Sequence, residues 1–461
     1  MPHRRSPILR PPLAPSGPRR RDLLAGLGGL LGCSAAGVLG WPALGQAADL
    51  KDRSFLFCYF SGGWDLQLCL DPRDPALFRD DLRKVTRIQP GWGELSASYR
   101  DLVPTSVDGM VFGPAIGDLA RHAEKLCVVR GMSMDTLTHE VGRRRFLTGR
   151  APVGLQARGS SLATQLASLL GSEQAMPQLS VLVESYNAGL PSWSSAIRVR
   201  SVEDLVRALE PSPDAMDPEL QQLVAGFLEA QGQCDGLDGP FQQDALEFRT
   251  AAAELVERRL GDRFDFGADS PEMESLRDLY GIDRDDLDSS AAQAAAAVTA
   301  ITAGISRCVS IVVADDLDSH GPEWASAHAP RIEGGFNLMA SILADLEARE
   351  HPDGGSWLDR TTVIGFSEFG RSPLLNSSGG RDHYLHNAAV LAGGGIRGGQ
   401  VIGASSDVGM APTPTNLQTG LPSPGGETIR PEHLFRAILT DLGVPEDIGE
   451  YGVEPLMAVY G

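Results

Sequence analysis

Cysteine is scarce in this sequence, with six among 461 residues. Five lie beyond residue 47, and Cys58, Cys127 and Cys308 stand inside apolar runs that are typical of buried strands. A free cysteine in such a run behaves as a small hydrophobic residue. The sequence therefore gives no indication of a disulfide framework and predicts a core that contains free thiols.

Basic runs are also missing once the N-terminal segment is set aside. The formal net charge is −20, and the segment before Ala48 holds six Arg and one Asp, so its removal would leave about −25. An acidic surface repels phosphate backbones, so nucleic acid is not expected as a partner. An anionic substrate would need a local site, such as a metal ion, that opposes the overall field.

Internal repeats, long linkers and a dinucleotide-binding motif are absent as well. The glycine run at 393–399 lacks the acidic ribose contact and the following helix that such a motif needs, so a turn is predicted there. We predict one large domain over residues 48–461. The segment from about 202 to 301 is rich in Ala, Glu, Leu and Gln, which indicates a helical insertion.

The N-terminus carries a twin-arginine export pattern. Arg20-Arg21 precedes Leu23-Leu24, an apolar stretch covers 25–44, and small residues end at Ala47. The pattern predicts a signal peptide over residues 1–47, passage through the twin-arginine translocase, and a periplasmic or secreted protein with no stable membrane span after cleavage. Proteins exported by this route fold in a reducing cytosol, which agrees with free thiols.

Two alternatives to the signal peptide are weaker. A transmembrane anchor is disfavoured because the apolar stretch is broken by glycines and by Pro42. A lipoprotein cleavage box at Cys33 is disfavoured because the sequence after this cysteine stays apolar.

Short apolar runs alternate with helix-like segments along the rest of the chain. Several runs are continuously apolar, as expected for strands buried on both faces of a parallel sheet. The pattern predicts an α/β fold with a doubly wound, mostly parallel sheet flanked by helices. The strand candidates are 55–60, 126–130, 179–183, 309–314, 362–366 and 388–391, the clearest helices are 331–350 and 433–442, and a surface loop is predicted at 411–426.

Polar side chains follow the predicted strands, at the edge where open α/β sheets bind ligands. After the first strand comes Asp65, which suits a metal ligand or, alternatively, a helix cap. After the second come Thr138, His139 and Arg143, residue types that serve as a nucleophile and an anion clamp. A capping threonine beside a solvated histidine is the alternative for this pair.

Asp315, Asp316, Asp318 and His320 directly follow the strand at 309–314. Three carboxylates and one imidazole form a metal-ligand composition, although a solvated acidic loop would have the same composition.

Carboxylates and imidazoles cluster again after the strand at 362–366. Glu368 is followed by Asp382-His383, and His386 is expected one helical turn further along. Such clustering at several strand ends predicts a functional site at this edge of the sheet.

The residues around this last group resemble a known family. The pieces are SEFGRSP at 367–373, GGRDH at 379–383 and LAGGGIRGGQVIG at 391–403. They resemble the exported bacterial proteins of domain of unknown function 1501, a group placed in the alkaline phosphatase and sulfatase superfamily. The resemblance covers nearly all of the chain beyond residue 47.

The resemblance implies an alkaline-phosphatase-like sheet with two divalent metal ions that acts on a small anionic ester. Oxygen and nitrogen ligands without a thiolate fit Zn, Mn, Mg or Ca. It also implies that residues 143–150 match the sulfatase segment ending in Leu-Thr-Gly-Arg. The metal ligands it implies are Asp65, Asp318, His320, Glu368 and His383.

Two departures from the catalytic superfamily stand out. Phe369 replaces an imidazole ligand of active members, so Asp382 or His386 would have to rebuild that site. Alignment on the Leu-Thr-Gly-Arg segment places His139 at the nucleophile position, which leaves Thr138 as the hydroxyl candidate and His139 as a ligand or a phosphorylated residue.

The sequence thus predicts an exported metal-dependent hydrolase of phosphate or sulfate esters. The alternative is a non-catalytic exported binding or surface-assembly protein with a decayed metal site, which Phe369 and the unassigned nucleophile favour.

Overall fold

The computed structural model describes residues 51–210, 223, 226, 259–445 and 451–460. The predicted signal peptide, the alternative lipoprotein site at Cys33 and most of 211–258 in the predicted insertion lie outside these residues. In the part of the chain that is described, no helix is long and apolar enough to cross a membrane.

An eight-stranded sheet forms the centre of the fold, in the order β12-β4-β11-β8-β1-β7-β5-β6. Two short strand pairs, β2 with β3 and β9 with β10, lie outside it. The strands are β1 (Ser54–Phe60), β2 (Val103–Pro104), β3 (Val111–Phe112), β4 (Leu126–Ser133), β5 (Gln178–Val181), β6 (Ile197–Val199), β7 (Cys308–Ala314), β8 (Thr361–Ser367), β9 (Gly370–Arg371), β10 (His383–Tyr384), β11 (His386–Ala392) and β12 (Gln400–Ile402).

Seven strands of this sheet run in one direction, and β11 runs against both of its neighbours. The prediction of a mostly parallel sheet flanked by helices is confirmed. The described helices are α1 (Arg83–Thr86), α2 (His139–Thr148), α3 (Leu162–Leu170), α4 (Val202–Leu209), α5 (Pro271–Tyr280), α6 (Ser290–Thr302), α7 (Ala329–Ala348), α8 (Trp357–Arg360) and α9 (Pro431–Asp441).

Both faces of the sheet are buried because side chains of a strand alternate between them. In β1, Leu56, Cys58 and Phe60 enter a core that also contains side chains of α6 and α7. Phe55, Phe57 and Tyr59 enter a second core together with side chains of α2, α3 and α9. Helices therefore cover the sheet on both sides, which is why the strand sequences are continuously apolar.

The register of the sheet aligns several strand ends. Phe60 at the end of β1 pairs with Ala314 at the end of β7 and with Ser367 at the end of β8. Because β11 is reversed, its first residue, His386, lies at the same edge, opposite Ser133 of β4. The segments that follow β1, β4, β7 and β8 therefore leave the sheet together.

Candidate metal centre

Gly62 contacts the segments that follow β7 and β8 and itself belongs to the segment that follows β1. Its φ is +109°, and a Cβ at this position would lie 2.7 Å from the backbone nitrogen of Asp318, so no other residue fits. The Gly62 N–H donates to Glu368 Oε1 at 2.9 Å. Segments that follow β1, β7 and β8 thus meet through backbone contacts.

The fourth segment brings His139, the first residue of α2. A Cβ on Gly142 would lie 2.6 Å from the carbonyl oxygen of Glu368, so glycine allows α2 to lie directly against the end of β8. In this position His139 Nδ1 lies 2.8 Å from Glu368 Oε1, where its N–H donates to the buried carboxylate.

Three imidazoles surround one carboxylate, and we call His139, His320, His383 and Asp318 the histidine cluster. Each Nδ1 faces an oxygen that can only accept a hydrogen bond, so Nδ1 carries the hydrogen and, in the neutral ring, Nε2 keeps a lone pair. The Nδ1 partners are Glu368 for His139, Asp382 for His320 and the main-chain oxygen of Leu137 for His383, at 2.8, 2.9 and 2.6 Å.

The Nε2 atoms converge on Asp318. His320 Nε2 and His383 Nε2 lie 2.9 Å apart and 3.0 and 3.2 Å from Asp318 Oδ1. His139 Nε2 lies 3.3 Å from Asp318 Oδ2 and is buried without a hydrogen-bond partner. Lone pairs that face each other at this distance repel unless a proton or a metal ion lies between them. Ligand atoms around a zinc-sized ion are separated by about 3 Å, so these residues fit a metal.

The charge of the surroundings suits a divalent cation. Burial alone would raise the pKa of Asp318, but the hydrogen bond from Arg371 and the neighbouring imidazoles of His383 and His139 hold it well below its ordinary value. Glu368 also keeps a lowered pKa, because contact with His139 outweighs burial, and the hydrogen bond from His320 lowers the pKa of Asp382. Three carboxylates and the Arg371 guanidinium together carry a net charge of −2 beside the imidazoles.

Arg371 is the residue whose role sequence analysis missed. Its guanidinium is fully buried, donates to the carbonyl oxygens of Gly62, Gly63 and Arg381, and lies 2.6 Å from Asp318 Oδ1. The pairing of β9 with β10 sets Arg371 opposite His383. It was visible only as part of the SEFGRSP motif, which gives no hint of its partners.

Comparison with known proteins assigns the family: a family model matches residues 52–419. The chain belongs to the DUF1501 family, described as protein of unknown function. No curated protein sequence matches this DUF1501 chain.

Solved structures with a similar fold include sulfatases and an alkaline phosphatase. The PsFucS1 sulfatase from Pseudoalteromonas sp. is 12% identical with a TM-score of 0.37, covering 89% of this chain and 72% of the sulfatase. The phosphonate monoester hydrolase SpPMH from Silicibacter pomeroyi is 12% identical with a TM-score of 0.38, covering 89% and 77%. The TAB5 alkaline phosphatase is 12% identical with a TM-score of 0.31, covering 75% and 92%. Such distant similarity carries no conclusion about activity.

Asp65 lies away from the histidine cluster, contrary to its predicted role as a metal ligand. Its Oδ2 forms an ion pair with Arg381 Nε at 2.7 Å and accepts from Trp324 Nε1 at 2.8 Å, and Oδ1 accepts from the Gln67 N–H at 3.0 Å. These partners occupy the carboxylate, so the alternative role as a helix cap describes it better.

Glu368 and Asp382 accept hydrogen bonds from the Nδ1 atoms of imidazoles, although the sequence predicted both as direct metal ligands. Glu368 accepts from Gly62, His139 and Ser367, and Asp382 accepts from His320 and Asn376. Carboxylates in this position orient a ligand and raise its basicity.

Thr138 and Arg143 do not join the histidine cluster in the contacts of the described residues. Thr138 is exposed, and its hydroxyl does not cap α2. Arg143 lies one turn after His139 and pairs with Glu184 at 3.5 Å, so it is not a free anion clamp.

His386 and the first two aspartates after β7 are also placed elsewhere. His386 begins β11, not a helical turn, and lies 3.4 Å from Asp71 in a buried site, where burial lowers its pKa to about 4. Asp315 is exposed, and Asp316 pairs with Arg331 at 2.5 Å. Neither Asp382 nor His386 therefore replaces the imidazole lost to Phe369, whose ring packs against His139 and His383 at centroid distances of 4.9 and 4.4 Å.

A second group of ligand-type atoms, from Asp52, His351 and Asp353, is less suitable for a metal. Asp52 pairs with Arg307 at 2.5 Å, and His351 Nδ1 accepts from the Asp353 N–H at 3.1 Å.

The Glu368–His139 pair makes the stability of the metal-free protein depend on pH. Glu368 has a lowered pKa, so its contribution is complete above the unfolded value of 4.5 and is lost as pH falls. Burial opposes the charge on His139, but Glu368 and Asp318 raise its pKa, so its contribution is complete below 6.5 and is lost as pH rises through the raised value.

We therefore expect Glu368→Gln to destabilise the chelator-treated protein by about 1–3 kcal/mol between pH 4.5 and 6.5, and by less on either side. Urea unfolding across pH measures this difference, with the exposed-site variant Glu203→Gln as control. A difference that does not vary with pH would contradict the ion pair.

Proposed function

We propose that this protein is an exported, metal-dependent hydrolase of phosphate or sulfate esters, centred on the histidine cluster. The fold belongs to the type found in hydrolases of such esters, and the histidine cluster stands at the strand edge where open α/β sheets bind ligands. Export through the twin-arginine pathway is part of the proposal and comes from the sequence pattern at residues 1–47.

One observation carries the proposal. Three imidazoles have Nδ1 occupied by an oxygen acceptor and Nε2 turned toward the same carboxylate. Independent surface histidines have no reason to share a tautomer and a common point of approach. Partners behind the ligands fix imidazole orientation in metal sites, and here each imidazole has one.

The donor set narrows the metals that the sequence left open. Imidazole nitrogens with one carboxylate suit Zn²⁺ or Mn²⁺ better than Mg²⁺ or Ca²⁺, which prefer oxygen ligands. His139, Asp318 and His383 offer ligand atoms that all lie within 4.8 Å of one another, and His320 lies beside them. An ion held there would polarise a phosphoryl or sulfuryl oxygen.

The surrounding side chains give the proposed metal access to solvent and hold its ligands in place. The imidazoles and Asp318 are 20–45% exposed and face solvent, whereas Glu368 and Arg371 behind them are fully buried. Glu368 binds His139 Nδ1 and so directs His139 Nε2 toward Asp318, where it can serve as a metal ligand. Arg371 keeps Asp318 ionised and fixed in place.

The test of function is hydrolysis with and without metal. Protein loaded with Zn²⁺ or Mn²⁺ should release para-nitrophenol from at least one of three esters: para-nitrophenyl phosphate, bis(para-nitrophenyl) phosphate and para-nitrophenyl sulfate. Treatment with EDTA should reduce the rate by at least about 100-fold, and re-addition of the metal should restore it.

Protein that holds metal and hydrolyses none of these esters would favour the non-catalytic binding protein. Protein whose hydrolysis survives EDTA would contradict the role of the histidine cluster.

A further inference from the structure

We infer that the substrate carries at least one further anionic group, which binds in a basic cavity beside the histidine cluster. This inference rests on the proposed function, because the cavity would be a subsite of the same centre. The ligand class is an ester of phosphate or sulfate on a molecule with several negative charges.

The cavity has a volume of ≈ 650 Å³. One wall is formed by α1 and its C-terminal end, with Arg83, Lys84 and Arg87, and the other by residues 374–377. No acidic side chain lines it. The cavity is therefore a concave surface whose charged side chains are all positive.

These three cations lie close together on an otherwise acidic protein. In the described part of the chain, none of the three lies within ion-pair distance of a carboxylate, whereas Arg79, Arg121, Arg207, Arg259 and Arg284 each pair with one. The chain as a whole has a net charge of −20. A concentrated positive site on such a protein attracts anions locally, where the overall field would repel them.

The cavity is joined to the histidine cluster by one side chain. Asn376 lines the cavity, and its Nδ2 donates to Asp382 Oδ1 and to the main-chain oxygen of His320, each at 2.9 Å. Asp382 in turn accepts from His320 Nδ1. A molecule with one charged group at His320 can therefore extend across Asn376 into the cavity.

The relative position of the two walls is fixed. The Gln89 N–H donates to the Pro373 carbonyl at 2.8 Å, and Arg381 Nη2 donates to the carbonyls of Gln89 and Pro90 at 2.7 Å. The segment that follows the basic residues is thus bound to the segment that carries Asn376, so the cavity is formed before a ligand arrives.

Binding of two non-hydrolysable sulfonates tests this inference. Naphthalene monosulfonate and naphthalene trisulfonate share the same ring system and differ in charge. Calorimetry at low salt on the metal-loaded full-length protein should show at least about tenfold tighter binding of the trisulfonate. In the triple variant Arg83→Gln, Lys84→Gln, Arg87→Gln this ratio should fall below about threefold.

A matched variant controls for overall charge. Arg121→Gln, Arg207→Gln and Arg259→Gln together remove three exposed cations far along the chain from the cavity, with side chains 80, 65 and 76% exposed. This variant should keep the wild-type ratio. Equal binding of both sulfonates to the wild type, or a ratio that survives in the cavity variant, would overturn the inference.

The same protein preparations test the anion-binding cavity and the proposed hydrolase activity separately. Metal content and ester hydrolysis of the wild type decide whether the centre is a hydrolase, whereas the binding ratio decides whether the cavity holds anions. A cavity-dependent ratio in a protein without hydrolysis supports the anion site and refutes only the hydrolase.

Discussion

Replacing His320 and His383 together by Ala should remove the bound metal and the metal-dependent hydrolysis. Both Nε2 atoms lie within 3.2 Å of Asp318 Oδ1, so the double variant leaves only His139 and Asp318 from the histidine cluster. Two ligands do not retain a divalent cation against water. We expect the content to fall from about one ion per chain to below about a tenth.

The loss of metal expected in the double variant can be scaled from the known cost of losing a residue that orients a metal ligand. Loss of a residue that orients a ligand costs about 10–100-fold in metal affinity or activity, so loss of two ligands should exceed that range. Mass spectrometry of dialysed protein measures the metal, and the ester assay measures the rate. His122→Ala, a half-buried histidine outside the histidine cluster, serves as the control.

A graded variant distinguishes ligand from orienting residue. Asp382→Asn keeps His320 and changes only the group that accepts from its Nδ1, so metal should remain but dissociate more readily. If the double variant kept a full complement of metal, the histidine cluster would not be the metal centre.

The fold was predictable because strands that are buried on both faces have continuously apolar sequences. The apolar run at 55–60 became β1 (Ser54–Phe60), and the run at 309–314 became β7 (Cys308–Ala314). The parallel direction of these strands then placed Asp318, His320 and Glu368 at one edge. The reversal of β11 was not predictable, because a strand buried on both faces reads the same in either direction.

The pairing of side chains within the site was not predictable either. The motifs contained the right imidazoles, but nothing local tells whether a carboxylate binds metal or holds an imidazole from behind. Asp65 shows the difficulty: its partner, Arg381, is distant in sequence, and the ion pair forms only because the segment at 372–383 folds back over Trp324.

Replacing Arg381 by Met should cost about 3–5 kcal/mol of the free energy of unfolding, because it leaves the Asp65 carboxylate buried without its counter-charge. Both side chains are essentially inaccessible, at 0 and 1% exposure. Arg381 also donates to the carbonyls of Ser372, Gln89 and Pro90, which would lose their partners. Urea unfolding of the chelator-treated protein measures the change, and Arg121→Met, at an 80% exposed side chain, should shift it by less than about 0.5 kcal/mol.

The double variant Arg381→Met, Asp65→Asn identifies the cause of that loss. Asparagine removes the buried charge and keeps an oxygen for one of the two donors, the Gln67 N–H or Trp324 Nε1, whereas the carboxylate accepts from both. If the unpaired carboxylate dominates, the double variant should recover more than half of the stability lost in Arg381→Met. If it recovers nothing, the three main-chain acceptors dominate, and Arg381 acts mainly as the clamp that holds the 372–383 segment. That segment includes Asp382 and ends at His383. In this case the metal affinity of the Arg381→Met variant should fall together with its stability.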